Sequence, residues 1–239
     1  SYRGAQIALP FGPTLSADLQ QLAQREGATL FMLLLASFQA LLHRYTGQND
    51  IRVGVPVANR NRVETERLIG FFVNTQVLKA ELDGQTRFRD LIQQVKRTVL
   101  DAQAYQDLPF EQLVEALQPE RSLSHSPLFQ VMVNHQRAAR ARSEIQLPDL
   151  HIAGLDWETQ AAQFDLTLDI EEAPDAIHAT LTFATDLFDA ETIERLAQHW
   201  QNLLQGIVAD ASRRIGDLPL LTEAELRRQL SQGAQRDYP

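Results

Sequence analysis

The side chains that could do chemistry in this sequence do not form a recognised catalytic pattern. Its six histidines include no His-His pair and no HExxH spacing of the kind that binds zinc. Ser124, His125 and Ser126 are neighbours, but neighbours in sequence rarely form a triad, and the sequence has no GxSxG elbow. The lack of cysteine excludes disulfides, thiolate metal sites and a cysteine nucleophile. The sequence therefore predicts neither a metal site nor a hydrolase triad.

Two asparagines stand where apolar segments give way to polar ones. Asn74 follows FFV, and with Thr75 it adds hydrogen-bond donors and acceptors to that segment. Asn134 follows FQVMV. Its neighbour His135 would point to the opposite face of a regular strand, where a structural histidine is expected. These patterns place polar groups at strand ends without assigning them a ligand.

Arg60 and Arg62 lie in a polar connection between two strand-like segments. Long connections of this kind often carry function on a rigid frame. A guanidinium suits the binding of a carboxylate, because its planar fork can hold both oxygens at once. From the residues alone, pairing with Glu64 or Glu66 on a solvated surface is the favoured interpretation.

Helical and strand-like patterns follow one another in mixed order along the chain. The helix predicted from Thr29 to about Tyr45 is apolar on nearly every side and is closed by Gly47. The other predicted helices cover residues 15–23, 88–104, 109–117, 189–208 and 223–230, and the predicted strands cover residues 6–9, 50–57, 71–82, 128–134, 151–157, 164–170 and 177–183. This order indicates an α/β (α+β) sandwich, with helices packed on a mostly mixed sheet.

Composition and charge argue against several classes of partner. The chain has 239 residues, 44% of them hydrophobic, which is enough for a globular core. A net charge of -9 argues against nucleic acid and anionic membranes as partners. The most apolar segment, residues 30–42, is too short to cross a bilayer and is better explained as a buried helix. The first residues lack the pattern of a signal peptide, and a cytoplasmic location is expected.

Three blocks, in this order, resemble the later core motifs of nonribosomal peptide synthetase condensation domains. IGFFVNT at residues 69–75 is similar to IGxFVNT, and YQDLPFE at residues 105–111 is similar to [HN]QDxPFE, with Tyr105 in place of His or Asn. RSLSHSPL at residues 121–128 is similar to RDxSRNPL and departs from it at three positions. The resemblance covers the chain almost from end to end.

The resemblance implies half of a two-lobed enzyme. Condensation domains pair two lobes similar to chloramphenicol acetyltransferase, and the earlier lobe carries HHxxxDG with the catalytic histidine. The chain would be the C-terminal lobe at residues 1–209, followed at residues 210–239 by a linker toward an adenylation domain. Residues 58–70 would form the floor loop beneath the active site, and residues 136–157 the latch that crosses to the other lobe.

The resemblance also implies the site residues, and none of them is catalytic. Arg60, with Arg62 as the second choice, would pair with the aspartate of HHxxxDG. Asn74 and Asn134 would face the substrate tunnel. No cofactor would be bound directly, because the substrates arrive on the phosphopantetheine arms of carrier proteins.

The implied function is to join a carrier-bound acyl or peptidyl thioester to the amine of a downstream aminoacyl thioester. Catalysis would consist mostly of positioning the two arms at opposite ends of a tunnel. The implied partners are the N-terminal lobe, the upstream and downstream peptidyl carrier proteins and the downstream adenylation domain, with no nucleic acid and no membrane.

Three alternatives remain open. An epimerization or dual-function domain shares the fold, although this chain has VNHQ where an epimerization domain has FNYLG. A noncatalytic condensation-like module would recruit other proteins, and an intact or a ruined HHxxxDG would separate an enzyme from such a module. A free-standing acyltransferase using coenzyme A is disfavoured by residues 218–230, which resemble the linker into an adenylation domain.

Overall fold

The computed structural model describes residues 3–60, 63–66, 68–118, 126–137, 161–173 and 176–234. These residues contain helices and strands in mixed order, as predicted. In chain order they are β1 (Gly4–Pro10), α1 (Pro13–Arg25), α2 (Leu30–Thr46), β2 (Asp50–Val57), α3 (Val63–Glu66), β3 (Asn74–Glu81), α4 (Phe88–Ala104), α5 (Phe110–Leu117), β4 (Val131–Arg137), β5 (Leu166–Glu172), β6 (Ile177–Ala184), α6 (Ala190–Ala209), a 3-10 turn (Ile215–Asp217) and α7 (Glu223–Ala234).

The six strands form one mixed sheet in the order β1-β6-β5-β4-β2-β3. β6 runs antiparallel to both β1 and β5, whereas β4 runs parallel to β5 and to β2. Alternation in β5 shows why the sequence forms a strand here: Leu166, Leu168 and Ile170 are buried, while Thr167 and Asp169 between them are only half-buried. The predicted mixed sheet with helices is confirmed.

The helix signals in the sequence correspond to real ends of helices. Thr29 caps α2, because its hydroxyl accepts a hydrogen bond from the Met32 N–H at 3.2 Å. Gly47 ends α2 with a φ of 69°, a conformation that glycine adopts without steric cost. Several strand boundaries differ from the prediction by one to three residues; the strand expected at residues 71–82, for example, begins at Asn74.

The chain divides into two compact units. The first comprises residues 1–17, 52–78 and 100–193, and the second comprises residues 18–51, 79–99 and 194–239. Phe129, Leu168 and Phe183 belong to the core of the first unit, and each is at most 2% exposed. The core of the second unit includes Leu91 and Trp200, both fully buried.

Helix α7 is held in the second unit by a hydrogen-bonded chain of side chains. The Thr222 N–H and hydroxyl both donate to Glu225 Oε2 at 2.8 Å, which closes a capping box at the start of the helix. His199 Nε2 on α6 lies 2.9 Å from the same oxygen, and His199 Nδ1 lies 2.7 Å from the Tyr45 hydroxyl on α2. Glu225 thus connects α7 directly to α6 and, through His199, to α2.

Replacing Glu225 by glutamine is expected to destabilise the chain in a pH-dependent way. Hydrogen bonds from the Thr222 backbone and from His199 lower the pKa of Glu225 from 4.5 to about 2. A carboxyl group with a lowered folded-state pKa contributes stability above its unfolded-state pKa, and this contribution is lost as the pH falls through the folded-state value. The difference in unfolding free energy between the native chain and Glu225→Gln should therefore be largest above pH 4.5 and vanish toward pH 2.

Denaturant titrations at a series of pH values measure this difference. Glu223→Gln is the matched control, because Glu223 lies in the same first turn and its side chain is 88% exposed. The control should change the unfolding free energy by less than about 0.5 kcal/mol. A Glu225→Gln effect that stays constant across the acid range would show that the carboxylate charge does not hold α7.

Candidate substrate-binding site

The central strands carry polar side chains on one face of the sheet. Direct partners on neighbouring strands point to the same face, and Asn134 on β4 is the partner of Asp169 on β5. In the next row, Met132 on β4 is the partner of Thr167, which in turn is the partner of Thr182 on β6. The two rows therefore present amide, carboxylate and hydroxyl groups next to one another.

This polar face forms a wall of a cavity of about 550 Å³ in the first unit. A volume in this range is typical of small-molecule sites. Phe71, Val73 and Phe164 add apolar surface to the lining, and Gln6 and Thr75 add polar groups. Asn134 also lines this cavity, so the structure places it where a substrate could reach it, and its contact with a substrate stays a prediction.

Asp169 brings a carboxylate to the cavity wall. Asn134 Nδ2 donates a hydrogen bond to Asp169 Oδ1 over 3.2 Å. Burial raises the pKa of Asp169, because it disfavours the charged form, and the hydrogen bond from Asn134 acts in the opposite direction. A perturbed carboxyl group in a cavity is a frequent feature of functional sites.

His135 points away from this cavity, as strand alternation predicts. Its partner on β5 is the buried Ile170, which faces the other side of the sheet. His135 Nε2 lies 3.4 Å from Glu172 Oε2, and burial lowers the pKa of His135. The position fits the structural role expected from the sequence.

Asn74 joins β3 to the start of α5. Its Nδ2 donates to the carbonyl oxygens of Gln106 at 3.1 Å and Leu108 at 2.8 Å, and its Oδ1 accepts from the Phe110 N–H at 3.1 Å. Pro109, the N-cap residue, supplies no side-chain oxygen, so Asn74 satisfies an amide at the start of α5. Asn74 thus fastens the IGFFVNT block to the YQDLPFE block. A contact between Asn74 and a substrate stays a prediction.

Arg60 binds backbone carbonyl groups within the segment predicted to be the floor loop. Its Nη1 donates to the carbonyl oxygens of Thr65 at 2.6 Å and Leu68 at 2.8 Å, and its Nη2 donates to that of Gly70 at 3.1 Å. Its guanidinium carbon lies 4.4 Å from the centre of the Phe72 ring, within the range of a cation–π contact. The Arg60 guanidinium therefore connects three backbone carbonyl groups, and the same hydrogen bonds fix its own orientation. The predicted ion pair between Arg60 and HHxxxDG stays a prediction.

Some predicted features lie outside the described residues. They are Arg62, residues 121–125 of the RSLSHSPL block, residues 138–157 of the latch, and with them the strand predicted at residues 151–157. The roles implied for them by the resemblance stay predictions.

Four polar residues of the cavity wall that lie on strands were not singled out from the sequence: Gln6, Thr167, Asp169 and Thr182. A signal was present in LTLDI of β5, where polar and apolar residues alternate strictly. Alternation identifies a polar face without showing what that face borders. The pairing of β1, β6, β5 and β4, which are far apart in sequence, brings the four residues together.

The structure also bears on metal binding and on membrane spanning. Among the described residues, no group of three or more His, Asp or Glu side chains is arranged to hold a metal ion. No single described helix is long and apolar enough to span a membrane, although α1 and α2 would pass that test together as a bent pair, by length and composition alone.

Comparison with known proteins defines the class of this chain. The sequence model of the family described as "Condensation domain" matches residues 1–230. One of the linear gramicidin synthase proteins of Brevibacillus parabrevis is 47% identical over 242 residues, a match that covers 100% of this chain and 3% of that protein. The chain therefore belongs to the condensation domain family of nonribosomal peptide synthetases.

Solved structures agree with this assignment. A four-domain nonribosomal peptide synthetase in its holo form, bound to AMP and glycine, superposes with a TM-score of 0.85 at 27% identity, covering 93% of this chain and 18% of that one. The X-domain from teicoplanin biosynthesis, in complex with OxyB, superposes with a TM-score of 0.84 at 27% identity, covering 92% of this chain and 49% of that one. The α/β fold similar to chloramphenicol acetyltransferase, expected from the sequence, is confirmed.

Proposed function

We propose that this chain is the C-terminal half of a peptide-bond-forming condensation domain. The observation that carries the proposal is the match of the condensation domain family to residues 1–230. Two further facts support it: the sequence contains no HHxxxDG, and the chain matches about half of the X-domain chain, at 49%. The chain spans only 3–5% of the length of three linear gramicidin synthase proteins that it matches, so the activity belongs to a larger protein.

The reaction joins an acyl or peptidyl thioester to the amine of an aminoacyl thioester. The amine nitrogen attacks the thioester carbonyl carbon, a C–N bond forms, the C–S bond breaks, and the thiol of the upstream phosphopantetheine arm leaves with a proton. In this reaction the chain positions the two reactants and does not transfer the proton. It supplies the polar sheet face with Asn134, the floor loop held by Arg60, and the Asn74 connection between the IGFFVNT and YQDLPFE blocks. Holding two reactants in place can supply a large effective molarity.

The proposal includes the surroundings of the chain. Its partners would be the N-terminal lobe that carries HHxxxDG, peptidyl carrier proteins upstream and downstream, and an adenylation domain reached through residues 210–239. Phosphopantetheine would enter as the carrier's arm and not as a resident cofactor. The family context and the acidic charge of the chain support a cytoplasmic location without nucleic acid or membrane partners.

Reconstitution with loaded carrier proteins tests the proposal. The chain alone and a longer polypeptide that includes the segment encoded before it are each mixed with donor and acceptor carriers, and product is detected by mass spectrometry. We expect product from the longer polypeptide only, and none when the second histidine of its HHxxxDG is changed to alanine. Equal turnover by the isolated chain would contradict the half-site assignment.

A noncatalytic module that recruits other proteins is the second candidate, and the similarity of this chain to the X-domain supports it. That domain is 27% identical to this chain and was solved in complex with OxyB. If the preceding lobe carries a ruined HHxxxDG and the longer polypeptide forms no product, a binding role becomes the better explanation. Epimerization is tested in the same reaction by the configuration of the product.

A further inference from the structure

The cavity on the polar sheet face has one charged group in its described lining. The residues around it carry amides, hydroxyls or apolar side chains, among them Gln6, Thr167, Thr182 and Phe164, whereas Asp169 carries a carboxyl group. A carboxylate that loses part of its hydration needs a partner, because unpaired buried charge is costly. Asp169 is therefore the one titratable group among the described residues that line the cavity.

Asn134 satisfies only part of the hydrogen-bonding capacity of the Asp169 carboxylate. Asn134 donates one hydrogen bond to Oδ1 at 3.2 Å, a length near the upper end of the usual range. An ionised carboxylate can accept about four hydrogen bonds, and the Asn134 amide also has an acceptor oxygen. Two strands in parallel register thus present oxygen acceptors next to each other on the cavity wall.

We propose that Asp169, oriented by Asn134, binds a nitrogen-borne hydrogen-bond donor of the aminoacyl substrate. A carboxylate or phosphate would meet like charge in this cavity, and an apolar group would remove water from Asp169 without replacing it. An ammonium or amine is complementary in both charge and hydrogen bonding. The donor comes either from the α-amine of the substrate or from a cationic side chain. This inference deepens the proposed function and rests on it.

Binding of stable substrate analogues tests the proposal without requiring turnover. Three pantetheine analogues, in which an amide replaces the thioester, carry alanine, lysine or a propionyl group without an amine. Calorimetry on the longer polypeptide should show at least one amine-bearing analogue binding about tenfold more tightly than the propionyl analogue, as expected for a charge-assisted hydrogen bond. Asp169→Asn should abolish that preference.

The pattern of loss identifies the source of the donor. If Asp169→Asn weakens the alanine and lysine analogues equally, the α-amine is the donor, and if it weakens only the lysine analogue, the side chain is. Either outcome supports the proposal. Unchanged affinity for all three analogues in Asp169→Asn overturns it.

Two further variants separate binding from a purely structural role. Glu171→Gln removes the same charge from the same strand at an exposed residue that does not line the cavity, and it should bind as the native protein does. The exchange Asn134→Asp with Asp169→Asn keeps a carboxylate–amide pair across β4 and β5 but moves the charge to the other strand. The preference for amines should not return in this double variant. Full recovery would show that the preference does not depend on a carboxylate at position 169 and would contradict the role proposed for Asp169.

The outcome does not depend on peptide formation. A longer polypeptide that binds the analogues with the expected preference but forms no peptide contradicts the proposed catalysis and leaves the Asp169 site standing. If Asp169→Asn forms peptide as well as the native protein does and binds all three analogues with unchanged affinity, the proposed catalysis stands and the Asp169 site is contradicted.

Discussion

Trp200→Ala is expected to lower the unfolding free energy by about 3–5 kcal/mol, the range found when a large buried aromatic residue is truncated. Trp200 is fully buried in the second unit, and its ring packs edge-on against Phe38 with 5.4 Å between the centroids. Its indole N–H also donates to the Ser37 hydroxyl over 2.9 Å. The substitution removes the ring and its hydrogen bond to Ser37, and it leaves a cavity in the core. Urea titration followed by circular dichroism measures the change.

Two milder variants separate packing from hydrogen bonding at this position. Trp200→Phe keeps an aromatic ring and loses the N–H donor. Ser37→Ala keeps the ring and removes the hydroxyl that accepts from the indole N–H, which should cost about 1–3 kcal/mol. The alanine variant of Trp200 should be the least stable of the three, and a Trp200→Ala loss below about 1 kcal/mol would contradict the role assigned to this ring.

Gly54→Ala is expected to destabilise the first unit by about 1–3 kcal/mol, the usual cost of overpacking a core. A Cβ added to Gly54 on β2 would lie 2.3 Å from Cε2 of Phe129, far inside contact distance. The Phe129 ring is 2% exposed and cannot withdraw, because it packs against Phe110 at 5.7 Å and Phe164 at 5.4 Å between centroids. Phe164 lines the cavity, so the change should also weaken binding there.

Gly12→Ala is the matched control for this substitution. A Cβ at Gly12 would meet no atom within 4 Å, so the unfolding free energy should stay the same or rise slightly. The double variant Gly54→Ala with Phe129→Leu should be less destabilised than the sum of the single variants, because the smaller side chain vacates the space that the new methyl group needs. Strict additivity of the two changes would show that Gly54 and Phe129 do not compete for that space.

Local features of the fold could be predicted from the sequence because their causes are local. Thr29 and Gly47 mark the ends of α2 through a capping hydroxyl and a left-handed backbone, and both signals can be read within a few residues. The apolar spacing in residues 88–104 likewise predicted α4 with its observed bounds. The strand expected from Phe71 begins later, at Asn74, and Phe71 and Val73, which precede it, border the cavity.

The candidate site was less accessible to sequence reasoning because it depends on contacts between distant segments. Asn134 was identified, but its partner Asp169 was not, because only the register of β4 against β5 places the two side chains 3.2 Å apart. Arg60 was identified as a carboxylate-binding group. In the structure its guanidinium binds the carbonyl oxygens of Thr65, Leu68 and Gly70, and this arrangement depends on where those three residues lie relative to Arg60.

The alternation along β5 has an evolutionary consequence. Leu166, Leu168 and Ile170 maintain the hydrophobic layer, while Thr167 and Asp169 border the open space on the other side. Under the proposed binding role of Asp169, substitutions at Thr167 and Asp169 in a duplicated domain should change which ligand the cavity binds, whereas Leu166, Leu168 and Ile170 should continue to support folding. Along this one β-strand, residues that support folding therefore alternate with residues that border the cavity.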